Sequence, residues 1–390
     1  MQVEQIYNIV NDITGEVLGE SDILLEDLSN VVDVGEQIFN VTAVDNYVKT
    51  LVDHIGRVVF VNRPYNVSVP SVLMDAWEFG SVMEKITIGL PEATENESWD
   101  LTDGQSYDPN VFTKPVVSAK FFNNKVTFEI PMSFADRQVK ESFSSASQLN
   151  AFFSAIETAI YKSLTVKTES LIMRTINFMT AETVADEYAD LTAIGNASGV
   201  RAVNLLYKYN QLHSGNELTA ANAVTNPDFI KFAAYQMGLY SDRISRLSTL
   251  FNVGGTDKFT PRDKMHFVML SEFGRAANVY LQSDTFHNEF TKLPNADMVP
   301  YWQGSGTTYG FDKTSAINVK ADDNTTVEMS GILGVMFDHD ALGVCNKNQR
   351  ITSNYNAKAE FTNQWYKSDG HYFADLNENF VVFFIADSTD

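Results

Sequence analysis

The chain has 390 residues, a single cysteine and a formal net charge of −22 at pH 7, so it is long enough for more than one core and excludes a disulfide framework or a cysteine-rich metal site. The negative charge is spread along the chain rather than collected in a tail, and the densest basic group, near Arg262 and Lys264, is interleaved with Asp257 and Asp263. This pattern excludes tight, direct binding of nucleic acid, which needs clustered cations.

The first 56 residues consist of short amphipathic pieces separated by turn signals. They are too thinly apolar to form a core, and they predict an arm that lies along another surface. The start lacks the basic and then apolar pattern of a signal peptide, and no run approaches the roughly 18 apolar residues of a membrane helix. We therefore expect a cytosolic protein without a membrane span.

Residues 57–131 change to a period of two. Runs at 58–62, 118–122 and 125–130 predict strands, and the Asn123-Asn124 turn predicts that the last two form a hairpin. Between Trp77 and Pro115 the sequence is acidic and turn-forming, with the lone aromatic residues Trp99, Tyr107 and Phe112. Since a structureless loop of this length is uncommon in a compact domain, we expect a projecting loop whose aromatic residues contact another molecule.

Residues 147–180 carry a helical pattern uninterrupted by Gly or Pro, which corresponds to a rod roughly 50 Å long. One apolar stripe contains Leu149, Phe152, Phe153, Ile156, Ile160, Leu164 and Leu171; a second contains Tyr161, Ile172, Ile176 and Met179. Two stripes predict a helix packed between two neighbours. Lys167 falls on the first stripe, where its stem could lie along the core or its ammonium could bind a neighbouring subunit.

The remainder alternates helices and strands. Asn226-Pro227-Asp228 begins a predicted helix at 229–239, the apolar run 265–270 predicts a buried strand, and 271–281 predicts another helix. Further predicted strands lie at 332–337, 341–345 and 380–385, whereas 346–358 is predicted to be rich in turns and 359–367 mixed.

Signals for catalysis or metal binding are lacking. None of the six histidines has zinc-motif spacing, and Asp338-His339-Asp340 indicates a surface turn. The acidic residues Asp100, Asp103 and Asp108 miss the calcium-loop spacing, Gly304-Ser305-Gly306 lacks the context of a phosphate loop, and Cys345 follows an apolar run typical of a buried position. We predict no enzyme activity, no cofactor and no bound metal.

The order of these parts and several local stretches resemble the major capsid protein of tailed bacteriophages, whose fold is shared with the floor of the herpesvirus capsid. The stretches are SAKFFNNKVTFEIPMSF before the rod SQLNAFFSAIETAIYKSL, then KMHFVMLSEFGRAANVYLQSDTFHNEF, GILGVMFDHDALGV and DLNENFVVFFIAD. The resemblance covers nearly the whole chain.

This resemblance implies an α+β fold divided in the manner of that family. Its parts would be an N-terminal arm (1–56), an extended β-hairpin loop (57–131), a peripheral domain (132–226) with the spine helix at 147–180, an axial domain (227–343), a return to the peripheral domain (344–375) and a C-terminal strand of the axial domain (376–390).

The resemblance also implies pentamers and hexamers that close an icosahedral shell around double-stranded DNA, which the chain would enclose without sequence-specific binding. It places the protein in the virion, and in the host cytoplasm during assembly. Expected partners are further copies, a scaffolding protein and a portal, with a cement protein as a further candidate. Alternatives are an encapsulin-like compartment shell, a tail or baseplate component and, more distantly, a cytosolic hydrolase.

Overall fold

The computed structural model describes residues 83–135, 146–283, 297–304 and 315–388. The predicted arm at 1–56 and the predicted strand at 58–62 lie outside these ranges. The helices are α1 (Ala146–Glu187), α2 (Leu205–Leu212), α3 (Ala220–Ala223), α4 (Pro227–Ile244) and α5 (Ser271–Ser283). The strands are β1 (Met83–Ile88), β2 (Val117–Phe122), β3 (Asn124–Ala135), β4 (Ala202–Asn204), β5 (Met265–Leu270), β6 (Asp297–Val299), β7 (Gln303–Gly304), β8 (Ala316–Lys320), β9 (Thr326–Ser330), β10 (Ile332–Asp338), β11 (Leu342–Asn356), β12 (Phe361–Ala374) and β13 (Phe380–Phe384).

The long helix predicted from the sequence is α1, which runs without a break for 42 residues. No Gly or Pro interrupts it, and at 1.5 Å per residue it is about 60 Å long. Its buried threonines donate their hydroxyl hydrogens to carbonyls one turn earlier, as Thr175 does to Leu171 at 2.9 Å and Thr180 to Ile176 at 3.0 Å. These bonds satisfy the hydroxyls and let polar residues occupy the buried sides of the helix.

Both predicted stripes of α1 are buried where the structure describes their side chains. The members concerned are Ile160, Leu164 and Leu171 on the first stripe and Ile172, Ile176 and Met179 on the second. The helix contacts β11, β12 and β3 of one sheet and β13 and β4 of another. The C-terminal half of α1 is therefore packed between strands of its own chain, as the two stripes predict.

The largest sheet has the strand order β4-β13-β10-β5-β6. Its central strands β13 and β10 are antiparallel and buried along their whole length, which explains their continuous apolar sequences FVVFF and ILGVMFD. The predicted strands at 265–270, 332–337 and 380–385 are confirmed here. The helices predicted at 229–239 and 271–281 are also confirmed, as α4 and α5.

A second sheet has the order β11-β12-β3 and corrects two predictions. The predicted strand at 341–345 continues through the segment predicted to be turns, because β11 extends to Asn356 while pairing with β12. The segment 359–367, predicted to be mixed, mostly belongs to β12, which begins at Phe361. The polar side chains of β11 suggested turns, but pairing with a distant strand decides the conformation of such a segment.

The predicted hairpin around Asn123-Asn124 is wrong in its pairing, although both strands exist. Strand β2 pairs with β1, whereas β3 pairs with β12, so the chain passes from one sheet to another at this point. A third small sheet contains β7, β8 and β9. Within the part of the chain that is described, no helix combines the length and the apolar character needed to cross a bilayer.

Gly331 joins the small sheet to the large one and is expected to tolerate no side chain. It has a φ of +74°, and an added Cβ would lie 2.3 Å from the carbonyl oxygen of Ile385. Gly331→Ala should lower the free energy of unfolding by roughly 2–3 kcal/mol, measured by urea denaturation. Gly238→Ala is the matched control, because its Cβ would meet nothing within 4 Å inside α4 and should be neutral or slightly stabilising. Equal effects of the two changes would contradict the argument.

Candidate assembly surface

Strands β1 and β2 form a two-stranded ribbon with two different faces. Residues directly opposite each other share a face, so Ile86 opposite Ala119 and Ile88 opposite Val117 lie on one face, and Lys85 opposite Lys120 lies on the other. The first face is exposed and largely apolar, and the second is partly buried. The strand β1 was not predicted, although its alternating sequence MEKITI carries the period of two.

Most of the large exposed apolar residues in the described ranges lie in the ribbon and in the loop that it supports. Eleven of the nineteen large exposed hydrophobic residues in the described ranges lie between positions 86 and 121. We call them the apolar loop surface: Ile86, Ile88, Leu90, Trp99, Leu101, Tyr107, Val111, Phe112, Val116, Val117 and Phe121. Such a concentration is typical of an interaction surface.

The loop at 89–116 has little structure of its own. It contains a 3-10 turn at Glu97–Trp99 and a few local bonds, such as the Asn110 amide donating to the Asp108 carboxylate at 2.9 Å. Trp99 is 97% exposed, Phe112 87% and Tyr107 48%, so Trp99 and Phe112 have almost no packing within the chain. Asp100, Asp103 and Asp108 are exposed too. The aromatic residues of the loop are therefore exposed, and the predicted projection toward another molecule stays a prediction.

An ion cluster fixes the inner face of the ribbon to the turn between β12 and β13. We call it the ribbon-base cluster; its members are Lys85, Lys120, Lys258, Asp375 and Glu378. The Lys85 ammonium donates to Asp375 Oδ2 at 2.9 Å and to Glu378 Oε1 at 2.5 Å, and Lys120 donates to Asp375 Oδ1 at 2.9 Å. Lys258 completes the cluster with a 2.7 Å bond to Glu378.

Asp375 offsets the repulsion between two lysine side chains of the ribbon. Lys85 and Lys120 are directly opposite each other, and like charges in that position are destabilising. The Asp375 side chain is only 3% exposed and places one carboxylate oxygen against each ammonium. Phe122 adds an apolar contact, with its ring centroid 5.4 Å from that of Phe373. Ribbon and turn are thus held by paired charges and by packing.

The protonation equilibria of the cluster reflect this pairing. Burial acts to raise the pKa of Asp375, but the charges and hydrogen bonds of Lys85 and Lys120 outweigh it, and the pKa of Asp375 is lowered. Burial acts to lower the pKa of Lys85, but Glu378 and Asp375 outweigh it, and the pKa of Lys85 is raised. Both shifts favour the charged forms.

The stability that Asp375 contributes should disappear in acid. A carboxylate with a lowered folded pKa stabilises the fold above its unfolded pKa, and the contribution is lost as the pH falls from about 4 through the folded value. Lys85, with a raised folded pKa, acts in the opposite sense and loses its contribution above about pH 10. The difference in free energy of unfolding between wild type and Asp375→Asn, from urea titrations, should therefore shrink between pH 5 and about 3. A constant difference over that range would contradict the pairing.

The other residues singled out in the sequence form no reaction centre. His339 and Asp340 lie in a turn, but Asp338 is the buried last residue of β10, so the prediction of a surface turn is wrong for that residue. His339 Nδ1 lies 2.9 Å from His266 Nε2, and burial together with His339 lowers the pKa of His266. Cys345 is buried as predicted. Among the residues described, no three His, Cys, Asp or Glu side chains are placed to hold a metal ion.

The candidate residues of the long helix are only partly described. Ile160 and Leu164 are buried, and Lys167 is exposed. The structure does not describe the side chains of Leu149, Phe152, Phe153 and Ile156, so their roles stay predictions. The ribbon-base cluster was missed altogether, because Asp375 and Glu378 lie more than 250 residues from Lys85 and Lys120 in the sequence.

The α+β fold carries an apolar loop surface that the described residues leave exposed, a feature typical of subunits that pack against one another. Residues 8–384 match the family model described as Phi29-like phage major capsid protein. This match spans nearly the whole chain, so the chain belongs to that family and is a major capsid protein of a tailed phage, a component of the virion shell. The predicted family and α+β capsid fold are confirmed.

Solved phage structures resemble the chain at low sequence identity. The capsid structure of Staphylococcus phage Andhra is 10% identical, with 84% of this chain and 87% of that chain covered and a TM-score of 0.49. A structure of bacteriophage P68 is 9% identical, with 84% and 88% covered and a TM-score of 0.49. The capsid of cyanophage P-SCSP1u is 9% identical, with 84% and 92% covered and a TM-score of 0.44. No curated protein sequence matches the chain significantly.

Proposed function

We propose that the chain assembles into pentamers and hexamers that close an icosahedral shell around double-stranded DNA, with no catalytic role. The observation that carries this proposal is the apolar loop surface, which is exposed among the described residues. The family assignment favours a phage head over a compartment shell, a tail component or a hydrolase.

The proposed contacts follow from the exposure of the candidate residues. Trp99, Tyr107 and Phe112 insert against a neighbouring subunit, since aromatic residues that project from a polar loop are typical anchors of an interface. Lys167 forms a salt link to a neighbour from the exposed side of α1. We also propose that the first apolar stripe of the same helix is completed by the side chains of Leu149, Phe152, Phe153 and Ile156.

The proposed division of the chain keeps the predicted parts. An arm at 1–56 and a loop at 57–131 extend from a peripheral domain at 132–226, an axial domain occupies 227–343, and the chain returns at 344–375 before the final strand at 376–390. Pairing of β12 with both β3 and β11 supports the return to the peripheral domain. Because β3 also belongs to that sheet, we place the end of the projecting part near Phe122.

The remaining proposed partners follow from charge and assembly. An acidic shell lining repels DNA, which suits an enclosed genome that is not bound sequence-specifically. A scaffolding protein and a portal guide assembly in the host cytoplasm, and a cement protein contacts the outer surface. No membrane takes part.

Electron microscopy of the full chain tests the proposal. Co-expression with the scaffolding protein of the same phage should give uniform icosahedral shells, whereas the chain alone should give irregular particles or none. A chain that stays monomeric with its scaffold would contradict the shell. Uniform shells from the chain alone would contradict the need for a scaffold.

A further inference from the structure

Two cations of neighbouring helices converge on one buried tyrosine. The Lys208 ammonium, on α2, donates to the Tyr240 hydroxyl at 3.2 Å and lies 5.2 Å from the centre of its ring. The Arg243 guanidinium, on α4, lies 5.4 Å from the centre of the same ring. Tyr240 is buried, Lys208 is half-buried and Arg243 is exposed, so the group opens to the surface.

Among the described residues no carboxylate pairs with these two cations, and Glu187, whose charge acts on Tyr240, is paired with Arg201. Within the described ranges neither Lys208 nor Arg243 forms an ion pair with a carboxylate, although the chain holds 50 acidic and only 28 basic residues. Burial and the charge of Arg243 lower the pKa of Lys208. Arg243 lies in the last turn of α4, where the helix dipole favours a cation, but Lys208 lies in the middle of α2 and has no such compensation.

Tyr240 contributes a third donor to the same place. Its hydroxyl oxygen accepts from Lys208 and from the Arg243 guanidinium, and among the described residues no side chain or carbonyl is recorded as accepting its hydroxyl hydrogen. An ammonium, a guanidinium and a hydroxyl that converge without an acceptor form a site for an oxyanion, and a guanidinium can bind a carboxylate through two parallel bonds.

We propose that Lys208, Arg243 and Tyr240 bind a carboxylate of an Asp or Glu side chain from a second copy of this chain. The inference rests on the proposed function, because it needs copies that abut. With a net charge of −22, adjoining copies repel each other, and the charged group that a neighbour most often presents is a carboxylate. The site supplies the local positive charge that such a contact requires.

A DNA phosphate fits the site less well. Binding to DNA needs a track of cations that neutralises several phosphates, and the strongly negative chain provides a single pair here. The two occupants give different experimental results, so the phosphate is an outcome of the test.

Zero-length crosslinking tests the contact in assembled shells. Shells are made from equal amounts of ¹⁴N and ¹⁵N chains with scaffolding protein, treated with a carbodiimide that joins amines to contacting carboxylates, digested and analysed by mass spectrometry. We expect Lys208 joined to an Asp or Glu in mixed-isotope peptide pairs, which arise only between copies. Lys258, bonded to Glu378 of its own chain at 2.7 Å, is the internal control and should give same-isotope pairs.

Several results would overturn the inference. Shells in which the control crosslink forms but Lys208 forms none, or only same-isotope pairs, exclude an intersubunit carboxylate. If wild-type chains form no shells with scaffold, the proposed function fails instead.

A variant provides a second, independent measurement. Lys208→Met/Arg243→Gln should keep the thermal midpoint of the unassembled chain and reduce the yield of shells at least tenfold, whereas Arg246→Gln, at an exposed arginine nearby, should assemble normally. Normal assembly of the double variant overturns the inference. Normal shells that contain less DNA would assign the site to phosphate.

Discussion

Asp375→Ala is expected to lower the free energy of unfolding of the unassembled chain by roughly 3–5 kcal/mol, the usual cost of breaking a buried ion pair by removing one partner. The change leaves Lys85 and Lys120 facing each other across the ribbon without the carboxylate that separates their charges. It also removes the acceptor of the Asn377 amide in the turn before β13. Urea denaturation followed by circular dichroism measures the loss.

A surface pair and a double variant show whether the loss comes from unpaired buried charge. Glu129→Ala breaks the partly exposed pair with Lys367 and should cost no more than about 1 kcal/mol. Adding Lys120→Met to Asp375→Ala removes the cation that has lost its carboxylate, since Lys85 keeps its bond to Glu378, and should recover part of the stability, a non-additive result. Additive losses, or equal losses for Asp375→Ala and Glu129→Ala, would show that the cluster does not hold the ribbon.

Strong local patterns were enough to predict the most deeply buried elements of this fold. The uninterrupted apolar stripes gave α1, and the short apolar runs gave β5, β10 and β13 nearly residue by residue. These elements are buried on most sides, so their sequences carry the signal by themselves. The family resemblance supplied the order in which they are arranged.

The polar strands and the ion cluster could not be predicted in the same way. The exposed side chains of β11 look like those of turns, and only pairing with β12 makes the segment a strand. The pairing of β2 with β1 rather than β3 depends on a loop closed over 28 residues, whereas the Asn123-Asn124 dipeptide was a local signal that favoured the wrong partner. The carboxylate partners of Lys85 could not be predicted, because residues that the fold brings together from distant positions have no characteristic spacing in the sequence.

The ribbon-base cluster holds the ribbon that carries the apolar loop surface. The cluster holds the ribbon at the end away from the loop, so we expect it to restrict the directions in which the loop can extend. A loop held in advance loses less conformational entropy when it binds, which strengthens the contact that its aromatic residues make. Loss of Asp375 should therefore weaken assembly as well as folding.

Trp99→Ala/Phe112→Ala is expected to leave the folded subunit intact and to prevent assembly. Both side chains are almost fully exposed, so their removal should change the free energy of unfolding by less than about 0.5 kcal/mol. An aromatic anchor buried at an interface contributes roughly 2 kcal/mol or more, and each 1.4 kcal/mol corresponds to tenfold in affinity. The two changes together should raise the protein concentration needed for shell formation at least a hundredfold, measured by sedimentation of shells formed with scaffold. The control is Phe259→Ala, at a half-exposed phenylalanine outside the loop, which should assemble at the wild-type protein concentration. If the double variant also assembled at that concentration, the loop aromatics would not be the anchors of the shell.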